Sequence, residues 1–166
     1  YNVVATMGTA LTIEHANEIK KYSNKVILCF DSDDAGINAS FKNIEPLYQL
    51  GIEVYMLRLE DNHDPCSFIE KFSTKVFLDK ARKSTLIIDE YINFLKKQFM
   101  DKDISINELI NDFVSKIKYM KDRIQADISI NKFVSTFGIS KIEFEKIFYK
   151  QVPSSPSETE ESKKNN

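Results

Sequence analysis

Three acidic residues occupy four positions directly after an apolar run, in the segment from Phe30 to Gly36 (F-D-S-D-D-A-G). Carboxylates this close repel one another unless a cation or several backbone N–H groups offset their charge. Asp31 and Asp33 are two residues apart, so at the extended end of a strand both face the same side and can share one ion. Mg²⁺ prefers such oxygen ligands and usually keeps waters and substrate phosphates as well. The simpler alternative, that Asp33 or Asp34 only caps the following helix, stays open at this point.

A second acidic turn runs from Glu60 to Cys66 (E-D-N-H-D-P-C). Asp64 followed by Pro65 is the pattern of a helix N-cap with proline at the first helical position. The Asp64 carboxylate could also bind a metal, because the two roles are compatible. His63 and His15 show no ligand spacing, and we expect both on the surface.

Two other chemistries can be tested by counting from Asp31. An EF-hand loop needs Asp or Asn at its fifth position and Glu at its twelfth, where this chain has Ala35 and Lys42, so an EF-hand is excluded. A haloacid-dehalogenase-like phosphatase also carries D-x-D after a strand. The Thr or Val that usually stands two residues after the second Asp of that motif is replaced here by Ala35, so the sequence fits a phosphatase of this kind only weakly.

Alternating apolar runs and helical periodicity in the first 60 residues predict an α/β fold with a parallel sheet and flanking helices. In such a sheet the chemistry lies beyond the carboxyl ends of the strands, which would bring the two acidic turns to one edge. Three strands leave an open edge, so we expect another strand before Tyr1. The predicted elements are a strand over Val3–Thr6, a helix over Thr12–Tyr22, a strand over Lys25–Asp31, a helix over Ala35–Leu50 that is bent or interrupted near Pro46, and a strand over Glu53–Leu59.

From Pro65 onward strand signals give way to helical spacing, which predicts a small α-helical bundle. Capping boxes at Ser105 with Glu108 and at Ser140 with Glu143 mark two helix starts, and Gly138 marks a helix end. The predicted organisation is an α/β domain over residues 1–72, a helical subdomain over 73–150, and a disordered tail or linker over 151–166.

Composition excludes several classes of protein. The net charge of −2 comes without any strongly basic block, so charge alone does not indicate nucleic acid binding. The two cysteines form no C-x-x-C pair, which argues against a disulfide framework or a structural zinc site. No apolar run is long enough to span a bilayer. We therefore expect a cytoplasmic protein with no membrane partner.

The segments around the two acidic turns together resemble the Toprim region of bacterial DnaG-type DNA primases. The resemblance rests on N-V-V-A-T-M-G-T-A-L-T from Asn2 to Thr12 with His15 after it, on V-I-L-C-F-D-S-D-D-A-G from Val26 to Gly36, and on the turn that ends at Pro65. Their order and spacing agree over roughly 70 residues. The helical segment to about residue 150 is similar, more loosely, to the subdomain that closes the primase RNA-polymerase core.

This resemblance implies an enzyme that makes short RNA primers on single-stranded DNA from ribonucleoside triphosphates with Mg²⁺ or Mn²⁺. By position, Asp31 and Asp33 correspond to the metal-binding D-x-D of the family, and Asp64 to the first acid of its D-P-D turn. Cys66 stands where the second acid is expected, which places one metal site in question. Lys42 stands where the family usually has Arg and is the candidate contact to nucleotide or nucleic acid.

The resemblance also implies parts that this sequence does not contain. The family's catalytic Glu is expected on a strand before Tyr1, and zinc only in an amino-terminal domain. The basic part of the polymerase core and a carboxyl-terminal domain that binds the replicative helicase are expected elsewhere. We therefore expect a fragment that is inactive alone. The alternatives are a truncated or decayed primase copy that only binds metal or protein, and another Toprim protein such as a topoisomerase, recombination factor or nuclease.

Overall fold

The computed structural model describes residues 3–8, 10–31, 34–60, 63–101 and 104–151, with the backbone alone for Asp34 and Ala35. Strands and helices alternate in the first part of the chain, and helices dominate the second. In chain order the elements are α1 (Ile13–Lys20), β1 (Lys25–Leu28), α2 (Asp34–Lys42), α3 (Ile44–Gln49), β2 (Glu53–Met56), α4 (Pro65–Phe72), α5 (Thr74–Arg82), β3 (Thr85–Leu86), α6 (Ile87–Met100), α7 (Ile106–Ile117), α8 (Arg123–Phe137) and α9 (Lys141–Gln151). The predicted α/β class is confirmed.

The described sheet has the order β1-β2-β3. β1 and β2 pair in parallel, from Lys25 opposite Glu53 to Leu28 opposite Met56. β3 pairs antiparallel to β2, with Thr85 opposite Met56. The prediction of a parallel sheet is thus right for β1 and β2 but wrong for β3, which lies in the segment predicted to be helical. A strand of two residues shows no periodicity, so its sequence gives no signal.

The predicted strand over Val3–Thr6 is also wrong. These residues have no regular structure, and the side chains of Val3 and Val4 are 84% and 76% exposed. A strand is stable only where neighbouring backbone satisfies its N–H and C=O groups. Within the described part of the chain, the sheet offers this segment no such neighbour.

The long helix predicted over Ala35–Leu50 is interrupted at Asn43, between α2 and α3. Pro46 explains the position, since a proline ring clashes with the carbonyl four residues earlier, here that of Lys42. The side chain of Asn43, at this break, is buried, and its Oδ1 accepts a hydrogen bond from the N–H of Leu11 at 2.8 Å. The break therefore anchors the segment that leads into α1.

Most predicted helix ends are confirmed. Thr12 caps α1 and accepts the N–H of His15. Ser105 and Glu108 form the predicted capping box at the start of α7. Gly138 ends α8 in the left-handed conformation, with φ of 65°, which a residue without a Cβ adopts at little cost.

One continuous core joins the sheet to the helical bundle. Its buried residues include Leu28 of β1, Leu95 of α6 and Phe148 of α9. At its centre in the bundle, the rings of Phe113 and Phe133 stack with centroids 4.0 Å apart. No helix in the described residues is long and apolar enough to cross a membrane. The amphipathic helices bury their apolar faces against this core instead.

Candidate functional site at the carboxyl edge of the sheet

Asp31 lies three residues beyond the last residue of β1 and is exposed. The ends of β1 and β2 are side by side, since the N–H of Leu57 donates to the carbonyl of Leu28 at 2.9 Å. The chain that follows each strand therefore starts from the same edge of the sheet, as the sequence predicted. This edge is where open α/β sheets bind ligands.

Gly36, in the first turn of α2, allows the helix to lie close to the backbone of Asp31. A Cβ on Gly36 would overlap the Asp31 carbonyl oxygen and would lie 2.8 Å from its carbonyl carbon. Ordinary van der Waals contacts of a Cβ begin at 3.4 Å. The Ser40 hydroxyl donates to the Gly36 carbonyl at 3.0 Å, within the buried side of the same helix. A side chain at position 36 would therefore displace Asp31.

Asp64 caps α4, as the sequence predicted. Its Oδ1 accepts the N–H of Ser67 at 2.8 Å, and Pro65 occupies the first helical position. The hydrogen bond from the Ser67 backbone lowers the pKa of Asp64 below that of an ordinary aspartate, because it favours the charged carboxylate. An exposed, ionised carboxylate therefore stands at this turn near neutral pH.

His63 is not the isolated surface residue that the sequence indicated. It is half-buried, and its ring lies edge-on to Phe68 and Phe72, with centroid distances of 6.1 and 5.8 Å. Its Nδ1 lies 3.0 Å from the Ser67 hydroxyl and its Nε2 lies 3.2 Å from Nζ of Lys71. The spacing carried a signal, because the residue before an N-cap and the fourth helical residue often pack together as a staple. His15 is exposed, as predicted.

A small second core connects the two acidic segments. Its buried members are Leu57, Leu59 and Phe68, and Cys29 packs against them. Cys29 lies two residues before Asp31, and Phe68 lies four residues after Asp64. Burial raises the pKa of the Cys29 thiol to about 11, and the negative charge of Asp31 adds to the effect. The segments that carry Asp31 and Asp64 thus pack against the same few apolar side chains.

The structure places the other predicted site residues differently. Asp33 lies outside the described residues. Lys42 is exposed in the last turn of α2, roughly 12 Å along the helix axis from its first residue, so it is not brought to the acidic edge. Cys66 is exposed, and its Sγ lies 3.7 Å from a carboxylate oxygen of Glu70. That negative charge raises the pKa of the Cys66 thiol.

Carboxylate oxygens at this edge suit a hard divalent cation. Among the residues that the structure describes, no three His, Cys, Asp or Glu side chains form a group that could hold a metal. Mg²⁺ is commonly bound by only one or two carboxylates, with waters and substrate phosphates as its other ligands. The donor chemistry of Asp31 and Asp64 therefore fits such an ion.

Comparison with known proteins agrees with this geometry. A family model described as Toprim-like matches residues 1–69. The DNA primase of Clostridium acetobutylicum is similar, with 32% identity over 139 residues, which make up 83% of this chain and 23% of that protein. The crystal structure of the Aquifex aeolicus primase, with its zinc-binding and RNA polymerase domains, gives a TM-score of 0.66 at 27% identity, over 86% of this chain and 34% of that one. The chain belongs to the DnaG-type DNA primases.

The chain corresponds to only part of a DnaG-type primase, since it spans 23% of the length of the curated relative. A DnaG primase catalytic domain bound to ssDNA has the same fold, with a TM-score of 0.65 at 19% identity over 82% of this chain and 44% of that one. The likeness to primases extends well beyond the Toprim-like residues into the helical segment. It therefore favours a primase over the topoisomerases, recombination factors and nucleases that the sequence left as alternatives.

Proposed function

We propose that this chain is part of an enzyme that synthesises short RNA primers on single-stranded DNA by metal-dependent nucleotidyl transfer. The observation that carries this proposal is the match of 83% of this chain to a DNA primase. The packing of the two acidic segments against one small core, at the edge of the sheet where such folds bind ligands, supports it.

We propose that Asp31, Asp33 and Asp64 hold Mg²⁺ or Mn²⁺. Asp31 and Asp64 present exposed carboxylates, and one oxygen of Asp64 is already used by the Ser67 N–H. The other oxygen of Asp64 is the one we assign to the metal. The Asp64 carboxylate is ionised at neutral pH, as a metal ligand must be, and its lowered pKa extends that state to lower pH.

The residues of this chain contribute position and charge to the reaction. Asp31, Asp33 and Asp64 would hold a divalent ion, which would supply charge neutralisation at the triphosphate of the incoming nucleotide. This would favour in-line attack by a primer 3′ hydroxyl on the α phosphorus, with pyrophosphate as the leaving group. Gly36 holds Asp31 at the edge of the sheet, and the α4 cap fixes the direction of Asp64. Lys42 is the proposed contact to nucleotide or nucleic acid. Its place at the far end of α2 suits a backbone phosphate better than the reacting one.

The partners belong to the same proposal. A DnaG catalytic domain is known bound to ssDNA, which supports single-stranded DNA as the template, with ribonucleoside triphosphates and an RNA primer as the other reactants. The replicative helicase is expected to bind through a carboxyl-terminal domain, and zinc to belong to an amino-terminal one. A cytoplasmic location accompanies these roles.

A chimeric primase tests the proposal. Residues 1–151 replace the corresponding segment of the Clostridium acetobutylicum enzyme, and RNA primers are measured on single-stranded DNA with Mg²⁺ and ribonucleotides. We expect primers from this chimera and none once it carries Asp31→Asn. Asp79→Asn is the matched control, because Asp79 is an acid on α5 whose ion pair is with Arg82. Equal primer yields from the Asp31→Asn and unmodified chimeras would refute the assignment, as would a folded chimera that makes no primers.

A further inference from the structure

The turn that carries Asp64 is supported by a directed series of hydrogen bonds that begins on the other end of α4. Nζ of Lys71 lies 3.2 Å from Nε2 of His63, and Nδ1 of His63 lies 3.0 Å from Oγ of Ser67. Ser67 then contacts Asp64 twice. Its hydroxyl donates to the Asp64 carbonyl at 3.2 Å and its N–H donates to Oδ1 at 2.8 Å.

The direction of this series follows from the donors available. A lysine ammonium has only donors, so Nε2 of His63 must accept from Lys71. In the neutral imidazole the proton then resides on Nδ1, which donates to the Ser67 hydroxyl. The Ser67 hydroxyl in turn has its own proton for the Asp64 carbonyl. Each group donates to the next, and the last is the carboxylate-bearing residue.

Packing fixes the middle of the series. The His63 ring meets Phe68 and Phe72 nearly at right angles, with interplanar angles of 79° and 88°. Phe68 is 1% exposed and belongs to the second core, so the imidazole rests on a rigid surface. Lys71 extends along the same side of the helix, with Nζ 4.9 Å from the Phe72 ring centroid. Lys71 and His63 therefore approach each other over one aromatic face.

We propose that His63 and Lys71 are positioning residues for Asp64, holding its carboxylate toward a divalent cation. This inference rests on the metal site proposed above and assigns a task to two residues outside it. Hydrogen-bond partners that orient a metal ligand commonly raise metal affinity by about tenfold or more.

Metal titration of the 166-residue chain tests the role. Mn²⁺ affinity is measured by electron paramagnetic resonance for the wild type, His63→Ala and Lys71→Met, and the unfolding midpoint is measured without metal. We expect affinity to fall about tenfold in both variants. His63→Asn should bind more tightly than His63→Ala, because the Asn amide can still donate to Ser67. The matched controls are His15→Ala, which changes the only other histidine, and Lys75→Met, which changes an exposed lysine of α5. Both should bind Mn²⁺ as the wild type does.

A spectroscopic measurement separates positioning from general stability. With ¹⁵N-labelled histidine only two rings contribute signals, and His63 should carry its proton on Nδ1 at pH 8, a state that Lys71→Met should weaken. The inference is overturned if His63 is protonated on Nε2, or if the wild type binds Mn²⁺ and the Ala and Met variants bind it equally well. A wild-type chain that binds no Mn²⁺, with the Nδ1 proton in place, contradicts the metal site itself and removes the positioning role with it.

Discussion

Replacing Gly36 by alanine tests how closely α2 approaches the acidic edge. In most helix interiors this change is favourable by about 1 kcal/mol, since alanine is the better helix former. Here the new Cβ would overlap the Asp31 carbonyl oxygen and would lie 2.8 Å from the carbonyl carbon. Reaching an ordinary contact of 3.4 Å requires the two backbones to separate by at least about 0.6 Å, and forced overpacking of this kind costs about 3 kcal/mol at the upper end of its range.

The expected net result is a loss of about 2 kcal/mol, after the gain in helix propensity is subtracted from the cost of overpacking. For a chain of this size such a loss lowers the unfolding midpoint by about 4–8 °C. Urea unfolding followed by circular dichroism measures the free energy, and Mn²⁺ affinity should fall in the same variant because Asp31 moves. Gly8→Ala is the matched control, since nothing lies within 4 Å of a Cβ there. A Gly36→Ala chain as stable as the wild type would refute the close approach.

Three further outcomes follow from single contacts. Asn43→Ala should lower the free energy of unfolding by about 1–3 kcal/mol, because the buried N–H of Leu11 loses its acceptor. Urea unfolding measures this, and a variant as stable as the wild type would contradict the contact. Asp64→Ala should be less stable than the wild type above the ordinary aspartate pKa of about 3.9. The difference should vanish as pH falls through the lowered pKa of Asp64, because the carboxylate that caps α4 is then protonated. Denaturation curves of both proteins from pH 7 to 2 measure this difference. Cys66→Ser leaves Cys29 as the thiol that iodoacetamide can modify. The modification rate should keep rising with pH to about 11, the pKa that burial gives the Cys29 thiol. A rate that levels off near pH 9 would contradict the burial of Cys29 in the second core.

The sequence predicted best what depends on a few neighbouring residues. Asp64 before Pro65, Ser105 with Glu108, and Gly138 all stand at the helix ends that local hydrogen bonding demands. Each signal is complete within about five residues, so no knowledge of the rest of the chain was needed.

Predictions failed where a distant partner decides the outcome. Val3–Thr6 has the residue types of a strand, but strand formation depends on a neighbour that sequence pattern does not specify. Thr85 and Leu86 form a strand only because β2 lies beside them. In the candidate site, the sequence named Asp31, Asp33 and Asp64, whose metal role stays a prediction. The contact of Gly36 with Asp31 and the contacts of His63 arise from tertiary packing, which sequence pattern does not show.

Mn²⁺ titration of the chain by isothermal calorimetry shows whether the two acidic turns hold one divalent cation. Asp31→Asn and Asp64→Asn are the variants, because both keep the side-chain shape and asparagine also caps helices well. We expect a saturable site in the wild type, weakened about tenfold or more by either substitution, while Asp79→Asn binds normally. Equal Mn²⁺ affinity in the wild type and both variants, or no saturable binding in any of them, would contradict it.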